Sequence, residues 1–451
     1  MRSPRLIWQT LAAVFVLSFA ALGWAGREIY LAAPPIPVEV VIDDGRVIYS
    51  GADISRGQQV WLAAGGQQLG SVWGHGGYVA PDWSADWLHR EALGLRAELA
   101  AQVFATPYAE LTFEQRAGID ARASAEMRRN DYDADSGTLH ISSARAAAIS
   151  RVAAHYGELF GDGRALDALR EQYAMSADSV PAAADRNALT AFFFWSSWAA
   201  ATDRPGESGL SYTSNWPHEP LVDNRMTAGS AIWSIVSIVL LIAGIAGMLW
   251  YHGTQHEPAP PVAPARDPLL GARATASMLA TRKYFFVVVG ILLLQVVMGV
   301  ITAHYAVEGQ TFFSLPLGEL LPYVVSRTIH TQTGIFWIAT AWLATGLYIA
   351  PLLSGKEPAR QKLGVDLLFW ALVAIVVGST VTGWLGTLQA RGTDYAFWIG
   401  NQGLEFTSMG RVWQILLFVG LMFWLFLLGR ALWPALRRPG ETRGLIAMVF
   451  L

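Results

Sequence analysis

The chain is 451 residues long, 53% hydrophobic and 15% charged, with a formal net charge of −3. A soluble protein carries nearer a quarter charged residues, so an ordinary soluble domain is excluded and an integral membrane protein indicated; no basic patch offers itself to nucleic acid. Cysteine is absent, which excludes disulfides, thiolate metal sites, iron–sulfur clusters and covalent haem attachment through C-x-x-C-H.

Arg2 and Arg5 precede a first apolar run from about Ile7 to Ala25. It has the layout of a signal peptide, but its length and the lack of a small-x-small cleavage pattern predict an uncleaved transmembrane anchor over residues 1–26. Residues 27–230 are polar and open on Pro34, Pro35 and Pro37, as a globular domain would. Within them, Ala, Leu, Arg and Glu at helical spacing predict helices over 85–103 and 110–129. The stretch from Asp131 to Gly137 has calcium-loop spacing, yet Ser142 stands where the twelfth-position glutamate belongs, so it reads as a turn. Gly74, Gly76 and Gly77 beside Tyr78 permit a tight backbone path that could present carbonyls to a cation, or simply turn the chain.

The membrane part, 231–451, holds apolar runs at about 231–251, 284–303, 329–353, 366–387 and 412–433, each near the roughly 20 residues a bilayer requires. A seventh begins at about Leu445 and meets Leu451 too soon to cross, so the sequence reads as the front part of a longer chain. Arg2 and Arg5, then Arg266, Arg273, Arg282 and Lys283, then Lys356, Arg360 and Lys362, then Arg437, Arg438 and Arg443 fall on one side of this arrangement. The positive-inside rule makes that side cytoplasmic, and places 27–230 and the loops 304–328 and 388–411 outside. Many of the nineteen tryptophans stand near run ends, as interfacial belts require.

Three further groups in this layout carry possible chemistry. His330 stands at the start of an apolar run, three residues after Arg327. An ionisable imidazole at a membrane span points to a function, and neutral imidazole is a common haem ligand, although it could also bond only water or a backbone carbonyl. Arg327 is spaced to pair with an anion such as a haem propionate. His304 and Glu308, four apart, share one helical face with Phe312 one turn on; imidazole, carboxylate and ring suit a quinol head group, or an interfacial ion pair with an aromatic anchor. Glu405, between Gly400 and Gly403 on one side and the last span on the other, is a candidate carboxylate for a hard cation, or a solvated interfacial glutamate.

Taken with FFFWSSWAAATDRPGESGLSYTSNWPHEPLVDN (192–224), EGQTFF, LPYVVSRTIHTQ and TGWLG, these runs resemble the quinol-dependent nitric oxide reductases of the haem–copper oxidase superfamily, from about residue 25 to the end. The resemblance implies a mostly α fold: a multi-span helical bundle, incomplete here, joined to an extracytoplasmic cytochrome-c-like domain that carries no haem. It implies that His330 is one axial ligand of a low-spin haem b, that Arg327 meets a haem propionate, and that His304, Glu308 and Phe312 contact quinol. Gly76, Tyr78 and Glu405 correspond to a region where relatives hold a calcium bridging haem propionates.

Haem b3 and a non-haem iron belong to the complete family protein, and no catalytic residue is assigned to this chain. The implied partners are quinol, nitric oxide and the lipid bilayer, with no nucleic acid; the implied state is a monomer or homodimer in a bacterial inner membrane, with 27–230 periplasmic. Asn401 replaces a histidine usual in the family, and Ser408 an acidic residue. Two alternatives are a haem–copper oxygen reductase and a non-catalytic quinone- or haem-binding membrane protein.

Overall fold

A computed structural model describes residues 4–74, 79–254, 265, 271–311, 315–388, 392–402 and 408–437. The chain opens on a long helix, α1 (Pro4–Leu31), and then enters a globular domain that lies outside the helical bundle, the outer domain. There, β1 (Glu39–Ile42) pairs antiparallel with β2 (Val47–Ser50) and parallel with β4 (Thr138–Ile141), which in turn pairs with β3 (Tyr132–Asp133); the sheet order is β2-β1-β4-β3. Alternation sets its two faces: Val40, Ile42, Leu139 and Ile141 point into the core. The turn between β3 and β4 contains the calcium-like spacing, and Asp133 spends its carboxylate on Asp135 N and Ser136 Oγ, so a turn it is.

Helices α2 (Gly51–Ala63), α3 (Trp83–Phe104), α4 (Phe113–Arg128), α5 (Ser143–Leu159), α6 (Asp167–Gln172) and α7 (Ala183–Ala201) pack on that sheet and on one another. Their starts are set by short polar caps. Ser50 and Asp53 form a reciprocal capping box for α2, and Thr112 and Gln115 do the same for α4. Where α2 crosses α7, a Cβ on Gly57 would stand 1.9 Å from Ala188 O, so only glycine permits that closeness. The core between them is aromatic: Trp83, Trp87, Trp198, Tyr156, Phe160 and Phe193 are fully buried, with Trp83 stacked on Phe193 at 5.6 Å and Trp87 on Tyr156 at 5.4 Å. Glu91 and Arg145 make a buried pair at 2.6 Å, and the second Glu91 oxygen accepts from Trp87 Nε1 at 2.8 Å. A hairpin, β5 (Asp203–Arg204) and β6 (Glu207–Ser211), leads out of the domain.

The rest is helical: α8 (Ala228–Thr254), α9 (Ala276–Ala280), α10 (Arg282–Glu308), α11 (Leu317–Leu320), α12 (Tyr323–Ser354), α13 (Gln361–Thr387), α14 (Gly392–Trp398) and α15 (Arg411–Leu436). Among the described residues, 6 helices are long and apolar enough to cross a bilayer. The chain is therefore a mostly α, multi-pass membrane protein. Helices α10, α12, α13 and α15 pack as a bundle around Leu347, Leu368, Leu427 and Trp424, with Gly364 against Leu427 and Gly378 against Trp413 giving the close approaches that membrane helices need. By contrast, the apolar windows of α1 and α8 bury nothing within this chain.

At one end of the bundle Lys283 and Lys362 both pair with Asp366, and Glu357 accepts from Ser277 N. The outer domain packs on the other end, away from these basic turns. Two helices are longer than the apolar runs suggest. Helix α12 begins at Tyr323, directly after Pro322, rather than near 329, and α10 continues to Glu308 rather than stopping near 303. The first turns of α12 are buried against the outer domain, and Tyr305 at the end of α10 packs with Ala174 and Tyr323; hydropathy alone misses such turns. The seventh run, from Leu445, lies outside the described residues.

Candidate functional site

Helices α10 and α12 lie side by side, and their polar residues meet in the seam. His330 is about two turns into α12, half-buried, and its Nδ1 is 2.8 Å from the backbone carbonyl of Gln295 on α10. A carbonyl can only accept, so Nδ1 carries the proton and donates. Nε2 is then the basic nitrogen, the arrangement found when imidazole binds a metal and its other nitrogen is fixed by a backbone carbonyl. The ring can lie against α10 because residue 299 is glycine, where a Cβ would come within 2.7 Å of the imidazole. The half-buried imidazole, with Nδ1 held by a carbonyl, is of the kind that could hold a metal through Nε2. Among the described residues no cluster of three or more His, Cys, Asp or Glu stands ready for a metal ion.

Sequence reasoning does not single out Gln295, yet it is the hub of this seam. Its carbonyl receives His330, and its side-chain oxygen accepts from Trp337 Nε1 at 2.6 Å. Gly334 makes room for it, since a Cβ there would stand 2.8 Å from Gln295 Nε2. The available signal is a lone polar side chain in the apolar run ILLLQVVMG, which is costly in a bilayer without a partner.

Arg327, one turn before His330, is buried, and its Nη1 donates to the backbone carbonyls of Gln67 and Gln68 at 3.1 and 3.2 Å. It thus ties α12 to the outer domain. Val324 beside it joins the outer domain's core, next to Gly65, whose φ of +124° and lack of a side chain admit it.

His304 and Glu308 share one face of α10, as their spacing predicts, with His304 Nε2 3.4 Å from Glu308 Oε2. His304 is mostly covered, with 13% of its side chain exposed, while Glu308 is 49% exposed. The pair therefore offers a sheltered imidazole and an open carboxylate at the outer end of a membrane helix. Phe312, the third member of the proposed group, lies outside the described residues, as do Gly76, Tyr78 and Glu405.

The stretches flanking the last three are described. Gly74 N and Ser71 Oγ both donate to Asp82, and Gln68 Nε2 donates to Ser408 Oγ at 3.4 Å. Asn401 and Met409 form a bridge, with Asn401 Nδ2 donating to Thr387 Oγ1 at 3.1 Å. Both residues that depart from the family pattern, Asn401 and Ser408, are thus buried and engaged.

Two family models match the chain. Residues 37–218 match the cytochrome c-like domain of NorB, a nitric oxide reductase component, and residues 279–451 match cytochrome c and quinol oxidase polypeptide I. The nitric oxide reductase NorB of Stutzerimonas stutzeri is 27% identical over 150 residues, which is 32% of this chain and 30% of that protein. The alignment therefore spans less than a third of this curated relative's length.

Proposed function

We propose, from the premise that this chain is a NorB-like member of the haem–copper oxidase family, that it serves electron entry in a quinol-dependent nitric oxide reductase. In that reaction two nitric oxide molecules, two electrons and two protons give nitrous oxide and water. The observation that supports this role best is the locked imidazole of His330, with Nδ1 held by Gln295 O at 2.8 Å and Nε2 basic. Nε2 would hold the iron of a low-spin haem b, and such a haem, when bound, passes single electrons.

His304 and Glu308 are the proton acceptors for quinol, and Phe312 is proposed as the third quinol contact. A two-electron donor must lose two protons, and a neighbouring imidazole and carboxylate at hydrogen-bond reach can take one each. Arg327 serves a haem propionate in this reading while retaining its hold on Gln67 and Gln68, which its five N–H donors allow. Calcium at Gly76, Tyr78 and Glu405, haem b3 and the non-haem iron belong to the same proposal, as does a periplasmic position for 27–230 in an inner membrane.

The test is kinetic. In the full-length protein, Glu308→Ala raises the KM for quinol about tenfold and leaves turnover with an artificial one-electron reductant intact. An unchanged quinol KM contradicts the assignment.

A further inference from the structure

We infer that Glu171, on the outer domain, is a positioning residue for the quinol site: it holds the turn that ends α10 and so fixes where Glu308 presents itself. The inference rests on the reading of His304 and Glu308 as quinol residues. Glu171 is the next-to-last residue of α6.

Its carboxylate accepts two hydrogen bonds from one residue, Gln310 N at 2.8 Å and Gln310 Nε2 at 3.1 Å. The same Nε2 also reaches Met175 O at 3.0 Å. Gln310 is two residues after Glu308, so the grip falls directly beyond the proposed proton acceptor. Between them stands Gly309, with φ +77°, where a Cβ would lie 2.1 Å from Glu171 Oε1. The backbone angle favours glycine there, and a Cβ would displace the Glu171 carboxylate.

Two further contacts extend the hold. Gly318 N donates to Gln310 O at 2.9 Å, and Ser176 Oγ donates to Gly318 O at 3.3 Å. Beside this turn opens a cavity of about 540 Å³ lined by Ser176, Gln310, Thr311, Gly318 and Glu319. Its lining comes from both the outer domain and the α10–α11 connection, so the space exists only while the two are held together.

A charged acceptor strengthens both bonds relative to a neutral one, but the pair is open to water. Its loss should therefore cost the fold little. Helix α10 is secured independently by α12, through His330, Trp337 and Gln295. What the clamp controls is the orientation of the last turn, and hence ligand affinity.

The experiment measures the Kd of decylubiquinol by calorimetry on the full chain in detergent, together with thermal unfolding. Glu171→Ala and Gln310→Ala each weaken binding about tenfold, Glu171→Gln weakens it less, and the unfolding temperature stays put. The double variant Glu171→Ala/Gln310→Ala is no weaker than either single one, because both remove the same contact. Wild-type affinity in Glu171→Ala, or additive losses in the double variant, overturns the inference. Glu308→Ala run alongside separates the two levels: if it too binds normally, the quinol reading itself has failed, whereas if it binds weakly while Glu171→Ala does not, only the clamp has.

Discussion

The outer domain and the membrane bundle solve opposite problems. The outer domain hides its chemistry: its rings stack on one another, and its charged pair Glu91–Arg145 is sealed in the core. The bundle keeps an apolar exterior and concentrates polar groups in the α10–α12 seam, at His330, Gln295 and Trp337, and at the outer rim, at His304 and Glu308. The difference teaches where function can reside. A domain filled by tryptophan, tyrosine and phenylalanine contributes shape and attachment, and the bundle's seam holds the groups proposed above to bind ligands.

The sharpest way to break this contrast is to unseal the outer core. Glu91→Ala leaves Arg145 buried without its partner and removes the acceptor of Trp87 Nε1, which should cost about 3–5 kcal/mol. Denaturation followed by tryptophan fluorescence should show the loss, with helicity of the bundle unaffected in detergent. A melting point equal to wild type would mean that the pair is not structural.

A smaller effect belongs to the seam. Gln295→Leu deletes the acceptor of Trp337 Nε1 but keeps the backbone carbonyl that holds His330. It should lower bundle stability by about 1 kcal/mol and leave the outer domain's unfolding unchanged. A matching drop in outer-domain stability would show the two regions to be one cooperative unit.

The smallest effect is one of pH. Burial, reinforced by the nearby Arg90, holds the His155 imidazole below its usual pKa. The unfolded chain then binds the proton more readily than the fold does, so stability is fully present above pH about 6.5 and declines as pH falls through the folded value. His155→Gln should flatten that decline in melting curves taken between pH 7 and 5. A slope identical to wild type would assign the pH dependence to other groups.

Much of this organisation is legible in the amino-acid order. Long apolar runs must become membrane helices because nothing else satisfies their backbone in lipid, and the i, i+4 spacing of His304 and Glu308 brings them together on α10. What stays hidden depends on contacts distant in sequence. The parallel pairing of β1 with β4 joins residues about a hundred apart. The early start of α12 at Tyr323 reflects the outer domain lying against its first turns, and Arg327 finds its acceptors at Gln67 and Gln68. Glu171, an unremarked surface carboxylate in the sequence, acquires meaning only when α6 meets Gln310.

The central claim is that the nitrogen of His330 turned away from Gln295 binds haem iron. Reduced-minus-oxidised absorption spectra of the full-length protein, produced with ample haem, test it against His330→Ala. A low-spin haem b band in the wild type that vanishes in the variant is the expected result; the same band at the same intensity in both would contradict it.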